Sequence, residues 1–412
     1  MFRFGRFMGD PPTSPVQRKR RWLSFSVRGL LLLILIVSVG LGFLARDLYQ
    51  FRQRQAVVRR IEANGGSVNL PFYEIGDPFE TSNRSDVRLS EEQRRTLYQQ
   101  WVIWFADEDI YKRPWGASIA HADDEPLFLG LEYFPELFQL TIGPGTLSDA
   151  SMESICRLKS LQQIRLHETQ MTKQQVGRLA SLPELTEIEF HGAATTPEAL
   201  SQLGHIPRLE TVRLIADQVP VEALAAIRSI PIHRLAIVVN TTTIPNLDQP
   251  DPLDGITQLS SLELTNYPVS DNTLAAIGKM QSLWSLGIDC PAKSATVSNE
   301  GLERLTDISS LTYLSLPTLK IDDEGLEILG RLKSLQKLSC DGSLITDAGL
   351  KHLTQVSQLS IPGCQATLAV IRELNKRGKL ASLDAGAGMS IRFTQLNSPY
   401  QLSEDVPYIV DE

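Results

Sequence analysis

The chain has 412 residues, 42% of them hydrophobic and 21% charged, an ordinary make-up for a folded protein. Its net charge of −8 hides an asymmetry, because residues 1–46 carry eight basic side chains against one acid, leaving 32 basic against 47 acidic in the remainder. A remainder at −15 repels phosphate backbones and argues against nucleic-acid binding, whereas the basic head suits a membrane-flanking segment.

Residues 1–28 are basic, contain Pro11, Pro12 and Pro15, and read as a disordered cytoplasmic segment. Gly29 to Ala45 is an uninterrupted apolar or small run of 17 residues. As a helix it covers about 25 Å, the short end of a bilayer span. Arg28 and Arg46 can snorkel at its ends, and Trp22 and Tyr49 stand at interfacial depth. The alternative, a cleaved signal peptide, needs an unusually long 28-residue basic region and lacks a clean small-residue cleavage site. The Arg18–Arg21 cluster predicts a cytoplasmic N-terminus with the remainder extracytoplasmic, facing the periplasm; Arg52, Arg54, Arg59 and Arg60 oppose that bias.

Residues 46–135 read as a juxtamembrane helix and an N-terminal cap. A charged helix is predicted over 46–64, stopped by Gly65-Gly66, with a strand from Ser67 to Tyr73 and a polar loop over 74–95. Residues 96–135 look irregular, with Trp101, Trp104, Phe105 and Trp115 available to cover a core.

Repeats dominate residues 136–385. The unit L-x-x-L-x-L appears as Leu137/Leu140/Ile142, Leu161/Ile164/Leu166, Leu185/Ile188/Phe190 and Leu209/Val212/Leu214, each step 24 residues. It continues through Ile232, Leu259, Leu283, Leu311 and Leu335 to degenerate copies at Val356 and Leu380, eleven in all. The second half of each unit has apolar residues three apart, as in Leu302/Leu305/Ile308, which predicts a short helix. One strand and one helix per unit cannot bury their apolar side alone. The expected fold is therefore an α/β solenoid, with parallel strands on a concave face and helices on the convex one. Two longer steps, through residues 240–255 and 289–301, should bulge at one edge. Residues 386–412 form a C-terminal tail that ends acidic.

These units resemble the leucine-rich repeat superfamily. The copy Leu332–Leu353, with Ile345-Thr346-Asp347-Ala348-Gly349-Leu350, is similar to the cysteine-containing, ribonuclease-inhibitor-like subclass. Ile321-Asp322-Asp323-Glu324-Gly325-Leu326 repeats the same step, and Thr169 and Ser343 occupy the usual Asn or Cys ladder position. The whole chain resembles bacterial membrane-anchored leucine-rich repeat proteins, in which an R-R-W-x-x-F-S-x-R segment, here Arg20 to Arg28, leads into a membrane helix. A later G-G-x-V turn is matched by Gly65-Gly66-Ser67-Val68. The resemblance implies binding through the concave face and no particular ligand.

Chemistry is sparse. No phosphate-binding loop, dinucleotide fingerprint, nucleophile elbow or zinc helix is present. His167-Glu168 begins like a zinc helix but Met171 stands where the second His belongs. Ser334-Leu-Gln-Lys337 matches S-x-x-K only across the start of a repeat. Cys156, Cys290, Cys340 and Cys364 read as thiols of repeat packing, without a CxxC pair. No cofactor, catalytic residue or metal is expected.

The repeat register predicts a surface. Positions 3, 5 and 7 of each unit face one side of the strand. They are Gln163, Arg165 and His167, then Glu187, Glu189 and His191, then Thr211 and Arg213. Neighbouring strands about 4.8 Å apart should stack His167 on His191, with Glu189 within reach of Arg165. Such a patch can bind a ligand, titrate or hold a metal; a plain solvated surface is the simplest alternative. Arg234, Glu263, Tyr313 and Lys337 lie further along the same face and suit a protein or peptide partner. The expected function is that of a non-enzymatic, membrane-tethered interaction protein. The alternative is a structural envelope component that self-associates through the solenoid. A hydrolase confined to residues 66–135 would lack any recognisable constellation.

Overall fold

The structure is a computed structural model that describes residues 27–69, 114–192, 197–218, 221–241, 251–291, 295–365, 367–376, 380–386 and 389–392. The basic segment before Val27, any strand beyond Asn69, the 74–95 loop, Trp101, Trp104 and Phe105, most of the 240–255 loop and the acidic tail lie outside the described residues.

Backbone contacts divide the chain into residues 1–52 with 86–110, and residues 53–85 with 111–412. One helix, Val27–Ala63, contributes to both. In the first unit Leu44, Leu48 and Phe51 are half-buried, whereas its large apolar residues from Leu30 to Phe43 are exposed, Leu30 at 48%, Leu35 at 62% and Phe43 at 54%. That is the reverse of how a water-soluble fold treats large apolar side chains. Length and composition alone make this helix able to cross a membrane. In the second unit Val57 and Ile61 are buried, Arg54 Nε donates to the Tyr133 carbonyl, and Gly65 in a left-handed conformation ends the helix.

The second unit is a leucine-rich repeat solenoid. Among the described residues its main sheet has fourteen strands, which follow one another in chain order. The alternation predicted from sequence is realised: Leu262, Leu264, Leu286, Ile288, Leu314 and Leu316 are each no more than 1% exposed. Each such burial is worth about 1.5–3 kcal/mol. A regular hydrogen-bond ladder sets the step between repeats. The Trp115 carbonyl accepts from the N–H groups of Phe138 and Gln139, and that of Phe138 from Gln162 and Gln163. The pattern runs unbroken to Ser357, which accepts from Ala381 and Ser382.

The same ladder reveals a repeat that the leucine pattern misses. The strand Gly116–Ile119 pairs in parallel with Gln139–Ile142, and the helix Glu125–Gly130 follows it. Residues 114–135 are thus regular where the sequence predicts irregular chain. The cause is compositional, since Pro114, Ala117 and Ile119 replace the leucines. At each end the parallel sheet is closed by an antiparallel strand, Ser67–Asn69 against Gly116–Ile119 and Met389–Arg392 against Ser382–Gly386. Among the described residues these closing strands are three and four residues long, and a short edge resists pairing with other chains.

The I-T-D-x-G-L step is explained by contacts between repeats. Asp323 accepts hydrogen bonds from the Thr346 N–H at 2.8 Å and its hydroxyl at 2.5 Å. Asp271 does the same with Ser298 at 2.8 and 2.7 Å, and Asp347 with Thr367 at 2.7 and 2.5 Å. The glycine leaves room for the previous repeat's aspartate. A Cβ on Gly349 would meet Asp323 Oδ1 at 2.4 Å. Of the two ladder residues named from sequence, Thr169 is buried and donates to the Ile142 and Gly143 carbonyls at 3.1 and 3.0 Å. Ser343 is exposed instead, turned out where its N–H bonds Asp341. Cys290 and Cys340 are buried in the core, whereas Cys156 and Cys364 are half-buried. Burial pushes the Cys340 thiol up to about 12, which keeps it unreactive.

Candidate functional site

The candidate site lies on three adjacent strands, Gln163–His167, Glu187–His191 and Thr211–Ala216, paired in parallel without a slip in register. Along the first, side chains alternate half-buried and buried, so Gln163, Arg165 and His167 share the open face. The register places Arg165, Glu189 and Arg213 in one row and His167, His191 and Ile215 in the next. A third row holds Gln163 and Glu187, joined by a hydrogen bond of 3.1 Å from Gln163 Nε2, and then Thr211.

After two of these strands the backbone makes the same turn. Glu168 and Gly192, one residue past the histidines, have φ of 48° and 83°, and their N–H groups donate to the carbonyls of His191 and Ile215 in the following repeat. Asn266 makes the turn again, with φ of 54° and a bond to the Asp289 carbonyl. The Glu168 backbone is therefore committed to closing the repeat, and its side chain is exposed.

Glu189 departs from the expected alternation. Its side chain is only 10% exposed, although it stands on the open face. Its neighbours explain the burial. Arg165 Nε lies 3.4 Å from Glu189 Oε2 and Arg213 Nε 3.8 Å from the same atom, while His191 Nε2 bonds Oε1. An ionised carboxylate tolerates burial when charges and donors surround it in this way. The Arg213 Nε atom is itself buried and has no hydrogen-bond partner at that distance.

His167 and His191 stack as the register predicts, with ring centroids 3.9 Å apart and planes 26° from parallel. Burial, then the neighbouring His191, lowers the His167 pKa below 6.5. Arg165 acts in the same direction, and Glu189 and Glu168 oppose it. Stacked face to face, the rings do not turn their nitrogens with Glu189 toward one point, and no group among the described residues is arranged to hold a metal ion.

The remaining predicted residues are dispersed. Arg234 is exposed on the next strand, in register with Thr211. Glu263 is exposed beside Ala236 and Gly287. Tyr313 and Lys337 form a separate pair, with the ammonium 5.0 Å from the ring centroid. Lys337 is thus engaged away from Ser334, whose hydroxyl donates to the Ser309 carbonyl at 2.6 Å, and no nucleophile–base pair exists there. Sequence reasoning passed over Ile215 and Val238, which extend the histidine row across two more strands as half-buried apolar side chains. The same alternation that found the histidines identifies them.

No family model matches the chain, and no curated protein matches it. Among solved structures, it is similar to an internalin, inlF of Listeria monocytogenes, at 16% identity over 66% of this chain and 86% of that one, with a TM-score of 0.40. It is also similar to TLR13 in the structure of a TLR13–ssRNA13 complex, at 17% identity over 62% of this chain, with a TM-score of 0.43. The match covers 36% of the TLR13 chain. The leucine-rich repeat fold stands on the repeat register itself.

Proposed function

We propose that this chain is a non-enzymatic, membrane-tethered interaction protein that binds a protein or peptide through the concave strand face. The observation that carries the reading is the Arg165–Glu189–Arg213 row, charged side chains assembled from three repeats around one buried carboxylate. A rigid sheet presents them, so little ordering entropy opposes binding. The surface is open and shallow, with charged, aromatic and apolar side chains spread over several strands, which suits a macromolecular partner better than a small molecule. The −15 balance beyond residue 46 disfavours nucleic acid as that partner. The exposed apolar face of the Val27–Ala63 helix supports insertion in a lipid bilayer through residues 29–45, and the basic head supports a cytoplasmic N-terminus with the repeats on the opposite side. Self-association through the sheet ends has less support, because antiparallel strands already occupy both.

Proximity labelling from the membrane-anchored chain tests the reading. Partners labelled by the natural protein should disappear when Arg165, His167, Glu189, His191 and Arg213 are all replaced by serine in a chain that still folds. An unchanged partner set overturns concave-face binding. Release of the protein from membranes by alkaline carbonate overturns the tether.

A further inference from the structure

We propose that Arg165 and Arg213 form a clamp for a single carboxylate carried by an acidic peptide segment, with Glu189 as the built-in counter-charge beneath it; this rests on the concave-face reading above. Strands about 4.8 Å apart put the roots of the two arginines roughly 10 Å from each other, with Glu189 between them on the floor. Each approaches Glu189 Oε2 through its Nε atom, at 3.4 and 3.8 Å, too far for a short hydrogen bond. One carboxylate therefore faces two guanidiniums, and Oε1 is already bonded to His191. One positive charge is left over. Among the described residues the terminal amino groups of Arg165 and Arg213 have no hydrogen-bond acceptor, and the two side chains are 40% and 37% exposed. A guanidinium offers parallel donors in a plane that matches a carboxylate, so a ligand carboxylate completes what Glu189 leaves undone.

The surroundings favour a monoanion flanked by an apolar side chain. Glu187 stands one row away and Glu189 directly below, and both repel the second charge of a phosphate. On the other side Ile215 and Val238 offer half-buried apolar contact next to the arginines. The stacked His167 and His191 border the clamp. The charges acting on His167 are Arg165 and Glu168 on its own segment and Glu189 and His191 on the next strand, and its protonation adds positive charge beside the ligand. Binding should therefore tighten as the pH falls below the usual histidine range.

The test uses the full chain in lipid nanodiscs and three probes, the capped peptide acetyl-Glu-Ile-Val-amide, its Gln counterpart and inorganic phosphate, followed by calorimetry and histidine NMR. The Glu peptide should bind about tenfold more tightly than the Gln peptide, and R165Q or R213Q should each remove about that factor. E189Q, which deletes the counter-charge and keeps the shape, should strengthen binding, an effect that a purely structural role for the row does not produce. Equal binding of the Gln peptide, preference for phosphate, or indifference to R165Q and R213Q overturns the clamp. If partner labelling survives R165Q/R213Q but is lost on replacing Glu263, Tyr313 and Lys337, the clamp fails and the concave-face reading stands. If labelling is indifferent to both sets, that reading fails as well.

Discussion

Asp323 and Glu189 both lie between repeats, one where a helix starts and the other on the strand face. Asp323 is held by short bonds from uncharged donors, the N–H and hydroxyl of Thr346 with one oxygen for each, supported by the Gly349 N–H. Glu189 is held by two arginines and a histidine at mostly long range. The first arrangement is complete: donors and acceptors match, and the bonds recur at Asp271 and Asp347 as part of the repeat. Among the described residues the second occurs in one place, and it leaves charge and donors over. A matched carboxylate stabilises the stack, whereas an over-supplied one retains capacity for something outside the chain.

That contrast can be broken in order of expected effect. Gly349→Val drives a side chain into Asp323, whose Oδ1 and Cα would lie 2.4 and 2.9 Å from the new Cβ. It should cost about 3 kcal/mol in urea unfolding, through overpacking and the lost Thr346 bonds, and leave peptide binding by the surviving folded protein unchanged. R165Q/R213Q should show the converse weighting, a loss of binding of about tenfold or more with a smaller loss of stability than Gly349→Val, because the two arginines are half-exposed and their loss lets water reach the Glu189 carboxylate. If the double variant unfolds the chain instead, Glu189 belongs with Asp323 and the contrast is false.

Two smaller effects depend on pH. Burial of Asp323 opposes ionisation, but the Thr346 hydroxyl and N–H, the Gly349 N–H and His352 outweigh it and hold the carboxyl below 3.8. Its contribution is present in full above that value and is lost as the pH falls through the lower folded-state pKa. Asp323→Asn should flatten this acid limb in a pH series of unfolding curves. His167, with its pKa lowered from 6.5 by burial and by His191, follows the same sign. The folded chain resists its protonation, so stability is full above 6.5 and declines as the pH falls through the depressed value. His167→Gln should remove that decline, a change of under about 1 kcal/mol in a half-buried position, and with it the acid strengthening of peptide binding.

Much of this was legible before any coordinates. A 24-residue recurrence of leucines specifies parallel strands, because each unit has one apolar side that only a neighbour can cover. The stacking of His167 on His191 follows from that period, since equal positions in adjacent units become cross-strand neighbours. The repeat at Gly116–Ile119 was not legible, because Pro114 and Ala117 remove the leucines while the backbone ladder from Trp115 persists without them. Nor was the burial of Glu189. Alternation assigns its side chain to the open face, and it does lie there. Whether water reaches it depends on Arg165 and Arg213, which stand 24 residues away on either side and meet over it only once the repeats stack. The sequence by itself determined which residues share a face, because side-chain direction follows from backbone period. Tertiary structure alone decided which of them are matched and which have donors to spare, because that balance is struck across strands.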